Sequence, residues 1–182
     1  MKLMPQLVAR FRSRPEPPPA PPAPARSRIF IPAPRNNWPP EAERRLTWRL
    51  LHYWETLRGA RNYPTFSEVD GSTIPDVWPW CFILDTRRDY PSPYFHFLGE
   101  SLAKYSGIYL SGKDDWRMTL LDKAAAHLDR TLAAREPIII EDELVRYDGR
   151  PLVFRSVMLP LSEDGAEITH VLGAANGRIK DA

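Results

Sequence analysis

The chain has 182 residues, of which 43% are hydrophobic, enough for one folded domain and a tail, so disorder throughout is excluded. No apolar run approaches the roughly 20 residues of a membrane span, and the single cysteine, Cys81, excludes an internal disulfide and a multi-cysteine zinc site. The net charge of +2 hides an asymmetry: residues 1–40 hold seven Lys/Arg and one acid, a surplus of six, while residues 41–182 hold eighteen and twenty-two, a deficit of four. Positive charge sits on the tail and not on the fold, which argues against a nucleic-acid partner.

Twelve of the twenty prolines fall in residues 1–40, centred on RPEPPPAPPAPAR. Proline fixes φ and lacks the backbone donor, so residues 1–40 are expected to be a disordered, basic, proline-rich tail with polyproline II character. At its start Leu3, Met4, Leu7, Val8 and Phe11 recur at helical spacing among basic residues. That segment reads first as a frayed end and second as a docking element for a partner or an anionic membrane. It lacks the sustained apolar core and small-residue cleavage site of a secretory signal, so a reducing cytoplasm is the expected setting.

Residues 41–60 read as an amphipathic flanking helix. Leu46, Leu50, Tyr53, Trp54 and Leu57 share one face, Pro40 suits the helix start and Gly59 the position just past its end. This stripe should meet a sheet or a second copy of itself, and Trp48 falls on the polar side of it. Residues 61–79, with Pro64, Gly71, Pro75 and Pro79, read as an extended linker.

WCFILD (80–85) and YFHFLG (94–99) are strand candidates joined by RRDYPSP. WRMTLLDKAAAHLDRTLAAR (116–135) reads as one helix closed by Pro137, with Arg117, Leu121, Ala124, Leu128 and Leu132 on one stripe. Three strands follow, IIIEDELVRYD, PLVFRSVMLPL and EITHVLGAANGRI, separated by Asp148-Gly149 and Asp164-Gly165 turns. The element order suits an α+β domain: a five-stranded antiparallel sheet with helices gathered on one face.

YWETLRGARNYPTFSEVD with STIPD, then FILD, FHFLGESLAKYSGIYLSGK and FRSVMLPLSEDGAEITHVLGAANGR, occur in that order through most of residues 53–178. In residues and layout the chain resembles the PAS domain superfamily, and within it the PAS_5 family of alphaproteobacterial proteins. The resemblance implies a strand order of 2-1-5-4-3, a helical patch cupping a cavity over the sheet, and a sensory or regulatory role. The expected division is then a tail to residue 40, a flanking helix over 41–60, a PAS-like domain over 61–178 and a short end over 179–182. It names no ligand, since the fold hosts many chemistries. No effector domain is visible, so output is expected through a partner signalling protein or a homodimer. Flanking helices often form the dimer interface in this superfamily, which directs attention to Leu46, Leu50, Tyr53, Trp54 and Leu57. The competing reading is a ligand-free protein–protein adaptor localised by the tail.

Cys81 lies between Trp80 and Phe82 in a strand, outside the Asn-Cys-Arg-type helical motif of flavin-adduct photoreceptors, and reads as a small buried hydrophobe. His127 lies at the edge of an apolar stripe on the long helix, a poor position for a haem ligand. Neither haem nor flavin is expected. His52, His96, His127 and His170 have no metal-ligand spacing. Asp114-Asp115 and Glu141-Asp142-Glu143 read as solvated acidic runs, and with no nucleophile elbow or P-loop present, no enzymatic activity is expected. Strand alternation places Phe154, Ser156 and Met158 on one face, and Val153, Arg155, Val157 and Leu159 on the other. His170 shares a face with Ile168, Leu172 and Ala174. His96, Arg155 and His170 are the candidate ligand-binding residues, an arginine being suited to a carboxylate or phosphate. The alternative for Arg155 is a sheet arginine whose head reaches an acid at the rim.

Overall fold

The computed structural model describes residues 27–31, 45–87, 94–107, 119–146 and 149–180. The basic stripe Leu3–Phe11, the proline run, residues 41–44, most of the RRDYPSP loop, Arg117, Asp114-Asp115 and Asp148 lie outside those residues.

A short strand β1 (Arg28–Phe30) precedes helix α1 (Leu46–Arg58), strands β2 (Cys81–Asp85) and β3 (Tyr94–Leu98), and helix α2 (Glu100–Ser106). Helices α3 (Leu120–Ala125) and α4 (Leu128–Ala134) and strands β4 (Ile138–Val145), β5 (Pro151–Leu161) and β6 (His170–Ile179) complete the fold. The strands form one antiparallel sheet in the order β1-β4-β5-β6-β2-β3. Without β1 the remaining five, taken in chain order, follow the expected 2-1-5-4-3 arrangement. The sixth strand is a correction to the expected count, and it comes from the presumed tail. Arg28, Ile29 and Phe30 pair with Glu141, Ile140 and Ile139, because the apolar Ile29-Phe30 pair can cover an otherwise open edge of β4.

Cross-strand partners share a face, so the register sorts the side chains into two layers. Phe30, Ile139, Val157, Ala174 and Cys81 lie across one face, and Met158, Gly173 and Phe82 across the other. Helix α1 covers the first face, as the contact between the Trp48 and Phe30 rings at 6.2 Å requires. Helices α3 and α4 cover the second, through the Lys123–Asp142 ion pair and the Thr131 hydroxyl on Met158 Sδ. Both faces being covered, β2 is buried at every residue, which is why Cys81 through Leu84 are all apolar without alternation.

The α1 stripe is spent inside the chain. Leu46, Leu50 and Trp54 are buried, Tyr53 and Leu57 half-buried, and Trp54 Nε1 donates to the Pro160 carbonyl at 2.8 Å. Of the two expected partners, a sheet or a second copy, the stripe meets the sheet. Trp48 is buried as well, against Phe30 of β1 and beneath the Arg45 guanidinium, so the strand absent from the expected sheet accounts for the tryptophan outside the expected stripe. The helix ends at Gly59, whose φ of 54° suits glycine and whose N–H reaches Glu55 O.

Two further expectations are corrected. The stretch 61–79 is not simply extended but carries 3-10 turns at Phe66–Glu68, Gly71–Thr73 and Trp78–Trp80, the second capped by Asp70 accepting from the Ser72 N–H. The 116–135 helix is two helices. Thr119 and Asp122 form a reciprocal capping box that starts α3, and His127, at ψ 16°, breaks the hydrogen-bond ladder before α4.

Candidate functional site

The cup between the sheet and α2–α4 is floored by alternate residues of the central strands. Phe82 and Phe95 meet edge to face at 6.1 Å, and the Phe82 ring lies directly over Gly173. Met158 continues this floor toward α4, where the Thr131 hydroxyl reaches its sulfur. Tyr105 of α2 donates its hydroxyl to the Gly177 carbonyl at 3.1 Å and is crossed by the Trp80 ring. Ser156 points into this layer, opposite Ile140 and Ala175. It is fully buried, and its Oγ has no hydrogen-bond partner among the described residues, as is also true of Ser106 Oγ on α2. A buried hydroxyl costs stability unless something pairs with it, so Ser156 is the group in the cup best suited to a polar ligand atom or a bound water. The alternation pattern already carried that signal in Ser156, flanked by Phe154 and Met158.

All three residues singled out from the sequence lie on the other face. Arg155 stands opposite Glu141 of β4 and is paired with it, Nε at 2.8 Å and Nη2 at 2.5 Å from Oε1. Both side chains are about one-third exposed, so the arginine head pairs with a partly exposed acid of the neighbouring strand. His96 reaches the α1 face through a β-bulge: pairing shifts between Ile83↔Phe97 and Leu84↔Phe95, which turns His96 to the same side as Phe97. There the Phe66 ring meets it edge-on at 4.7 Å and stacks on His170 at 4.3 Å. His96 and His170 are thus brought together, ring centres 5.8 Å apart, whereas Arg155 stands apart from them on the α1 face, paired with Glu141.

His170 is buried above a tightly held acid. Asp85 lies opposite it in β2 and takes a two-pronged contact from Arg87, Nε to Oδ1 at 3.1 Å and Nη2 to Oδ2 at 2.9 Å. This guanidinium holds the Asp85 carboxyl well below the ordinary range. Arg87 Nη2 also lies 3.5 Å from His170 Nε2. Arginine only donates, so Nε2 serves as acceptor and the ring proton sits on Nδ1, toward Thr169 Oγ1 at 3.1 Å. Burial pushes the His170 pKa down, and the Arg87 charge pushes it the same way.

Cys81 is fully buried by register on the α1 face, its Sγ against the Val77 carbonyl at 3.4 Å, and burial raises its pKa so that the thiolate is suppressed. His127 is at the α3–α4 joint, its pKa also lowered by burial. Among the described residues no group of three or more His, Cys, Asp or Glu side chains could hold a metal ion, and no helix is long and apolar enough to cross a membrane.

The family model described as "PAS_5: PAS domain" matches residues 43–176. No curated protein matches the chain. Among solved structures, an RNA-binding light-oxygen-voltage receptor is similar at a TM-score of 0.41 and 9% identity, over 85% of this chain and 39% of the receptor, so this chain spans well under half of it. A light-oxygen-voltage domain described with a flavin analogue is similar at 0.41 and 13% identity, over 59% of this chain and 82% of that one. The light-oxygen-voltage domain of a blue-light activated histidine kinase from Erythrobacter litoralis gives 0.35 and 17%, over 55% and 95%.

Proposed function

Because the chain belongs to the PAS_5 family of PAS domains, we propose that it is a non-enzymatic sensory or regulatory module that binds a small ligand or a partner protein. PAS domains typically serve as sensory signalling modules, and the family match over residues 43–176, all of the sheet except β1 and the final residues of β6, carries the reading. Signal output then passes to a partner signalling protein or through a homodimer. A cytoplasmic setting fits the buried, reduced Cys81.

The ligand position that fits best is the cup, with Ser156 as its polar anchor. The absence of turnover is supported by the state of the candidate reactive groups: Arg155 is tied to Glu141, His170 to Arg87 and Thr169, and the Cys81 thiol is buried without thiolate character. Flavin-adduct chemistry is disfavoured by the same cysteine, whose register places it on the α1 face of the sheet and away from the cup. An RNA partner is disfavoured by the deficit of four positive charges over residues 41–182.

A second reading, a ligand-free adaptor, is favoured by the Phe82 ring, which fills the floor of the cup against Gly173. Native mass spectrometry of the purified full chain with its ultraviolet–visible spectrum separates the two. A bound small-molecule mass supports the sensor, and a visible absorption band would identify a chromophore and overturn the expectation that neither flavin nor haem is bound. A bare protein mass with a featureless spectrum supports the adaptor.

A further inference from the structure

On the side of the sheet opposite the cup, a cleft of about 540 Å³ opens between α1, the turn after it and the junction of α4 with β4. Its size is that of a small-molecule site. Two aromatic side chains form its walls, and their polar ends are already occupied: Trp54 Nε1 on the Pro160 carbonyl, and the Tyr63 hydroxyl on the Arg135 carbonyl at 3.1 Å. What the rings offer the cleft is therefore apolar surface.

Four charged side chains, two of each sign, line the same space: Arg58 and Arg135, Glu55 and Glu136. None of them is ion-paired with another. Arg58 Nη1 donates to the Arg61 carbonyl at 3.2 Å, and Arg135 Nη2 donates to the Ala166 carbonyl. Glu55 and Glu136 have no side-chain partner among the described residues. The Arg58 guanidinium lies 5.2 Å from the Trp54 ring centre, and its Nε is buried with no acceptor among the described residues. Arg135 stands at φ 57°, where glycine is the usual C-cap, so a cation is kept at the mouth in a conformation arginine rarely adopts. Opposite charges that face one cleft without neutralising each other leave free pairing capacity of both signs beside an apolar wall.

We propose that this cleft binds a small zwitterion with an apolar body, of the class of a free leucine or phenylalanine. The ligand carboxylate takes the Arg58 fork, whose planar donors suit it. The ammonium meets Glu55 and Glu136, and the side chain lies on Trp54 and Tyr63. A bound molecule would bridge α1 to the α4–β4 junction and so couple the flanking helix to a helix that covers the cup. The site is separate from the cup and does not depend on the cup being occupied.

The test is titration calorimetry of the full chain with L-phenylalanine and L-leucine, beside phenylacetate, which lacks the ammonium, and phenethylamine, which lacks the carboxylate. Saturable one-to-one binding of at least one amino acid is expected, with each one-charge analogue about tenfold weaker or worse, the loss of one charge-assisted pairing. Arg58→Gln and Glu55→Gln should each weaken the amino acid about fivefold or more while the thermal melt stays in place. If Arg58→Gln fails to fold, Glu55→Gln at a half-exposed position carries the test alone. No saturable heat with either amino acid up to about 10 mM, phenylacetate binding as well as phenylalanine, or affinity unchanged in both variants would each overturn the proposal. A bare mass in the native spectrum with amino-acid binding here would sink the cup ligand and leave this site standing; the reverse pair would do the opposite.

Discussion

Replacing Gly173 with alanine puts a methyl group where the Phe82 ring already is. A β-carbon built at Gly173 would lie 2.2 Å from Phe82 Cζ, 2.5 Å from Cε2 and 2.7 Å from Cε1. Ordinary carbon contacts are about 3.5–4.0 Å, so the ring must withdraw by more than about 1 Å. It has little space for that: Phe82 is fully buried and Phe95 stands edge-on to it. Overpacking of this kind costs about 1–3 kcal/mol, and the size of the overlap places this case in the upper half, about 2–3 kcal/mol. For a chain of this length that is a fall in Tm of about 4–12 °C. The cause is tested by a double-mutant cycle. Phe82→Leu alone removes ring atoms from the core and should cost about 1–2 kcal/mol. In the double variant the new methyl enters the vacated space, so its cost should fall short of the sum of the two single costs by about 1–2 kcal/mol. Urea unfolding of the four chains, followed by circular dichroism, reads all the terms. Additivity within about 0.5 kcal/mol, or a Gly173→Ala variant as stable as the parent, would refute the view that this ring fills the cup floor.

Three further outcomes can be checked on the same preparations. Trp54→Phe leaves the Pro160 carbonyl unpaired under α1 and should destabilise by about 1–3 kcal/mol, read by urea unfolding; an unchanged midpoint would mean that the indole bond contributes nothing. The His170 pKa is lowered in the folded chain, so the unfolded chain binds the proton first. Stability should therefore be complete above the unfolded histidine value of about 6.5 and decline as pH falls from there toward the folded pKa. His170→Asn should flatten that slope in melts between pH 7.5 and 5.5, with His127, shifted in the same direction, leaving a residual; a slope identical to the parent's would rule out His170 as its source. Arg155→Ala breaks a partly exposed cross-strand pair and should cost under about 1 kcal/mol, screened by salt; a loss above about 2 kcal/mol would mean that the Glu141 pair does more than tie β4 to β5 at the surface.

How much was legible beforehand follows from the range of each interaction. The strands FILD, PLVFRSVMLPL and HVLGAANG, the helix through Leu46, Leu50 and Trp54, and its end at Gly59 are written in local periodicity and turn chemistry, and the structure places them close to where those patterns do. Two of the misread features depend on a partner distant in sequence. Ile29-Phe30 becomes a strand only because β4, more than a hundred residues later, offers an open edge. Trp48 is unexplained until that strand lies under it. The start of β6 falls at His170, later than the apolar pattern begins, because Asp164 Oδ1 accepts the Ala166 and Glu167 N–H groups and holds them in the turn.

The candidate site shows the same division. Alternation grouped Ser156 with Phe154 and Met158, and Arg155 with Val157, from sequence alone, because successive side chains on a strand must point opposite ways. Which group faces the cup and which faces α1 is decided by where the helices land, and a strand's own residues carry no mark of that. His96 changes sides at a bulge that one extra residue in the β3 pairing creates, a fact of register between strands. The sequence by itself determined most of the elements, their order and the two-faced grouping of β5 and β6, since these rest on contacts a few residues apart. Only the tertiary structure decided that Arg155 meets Glu141, that His96 and His170 close on Phe66, and that opposite charges gather in one cleft between α1 and β4, because each joins segments whose neighbourhood exists only once the sheet has formed.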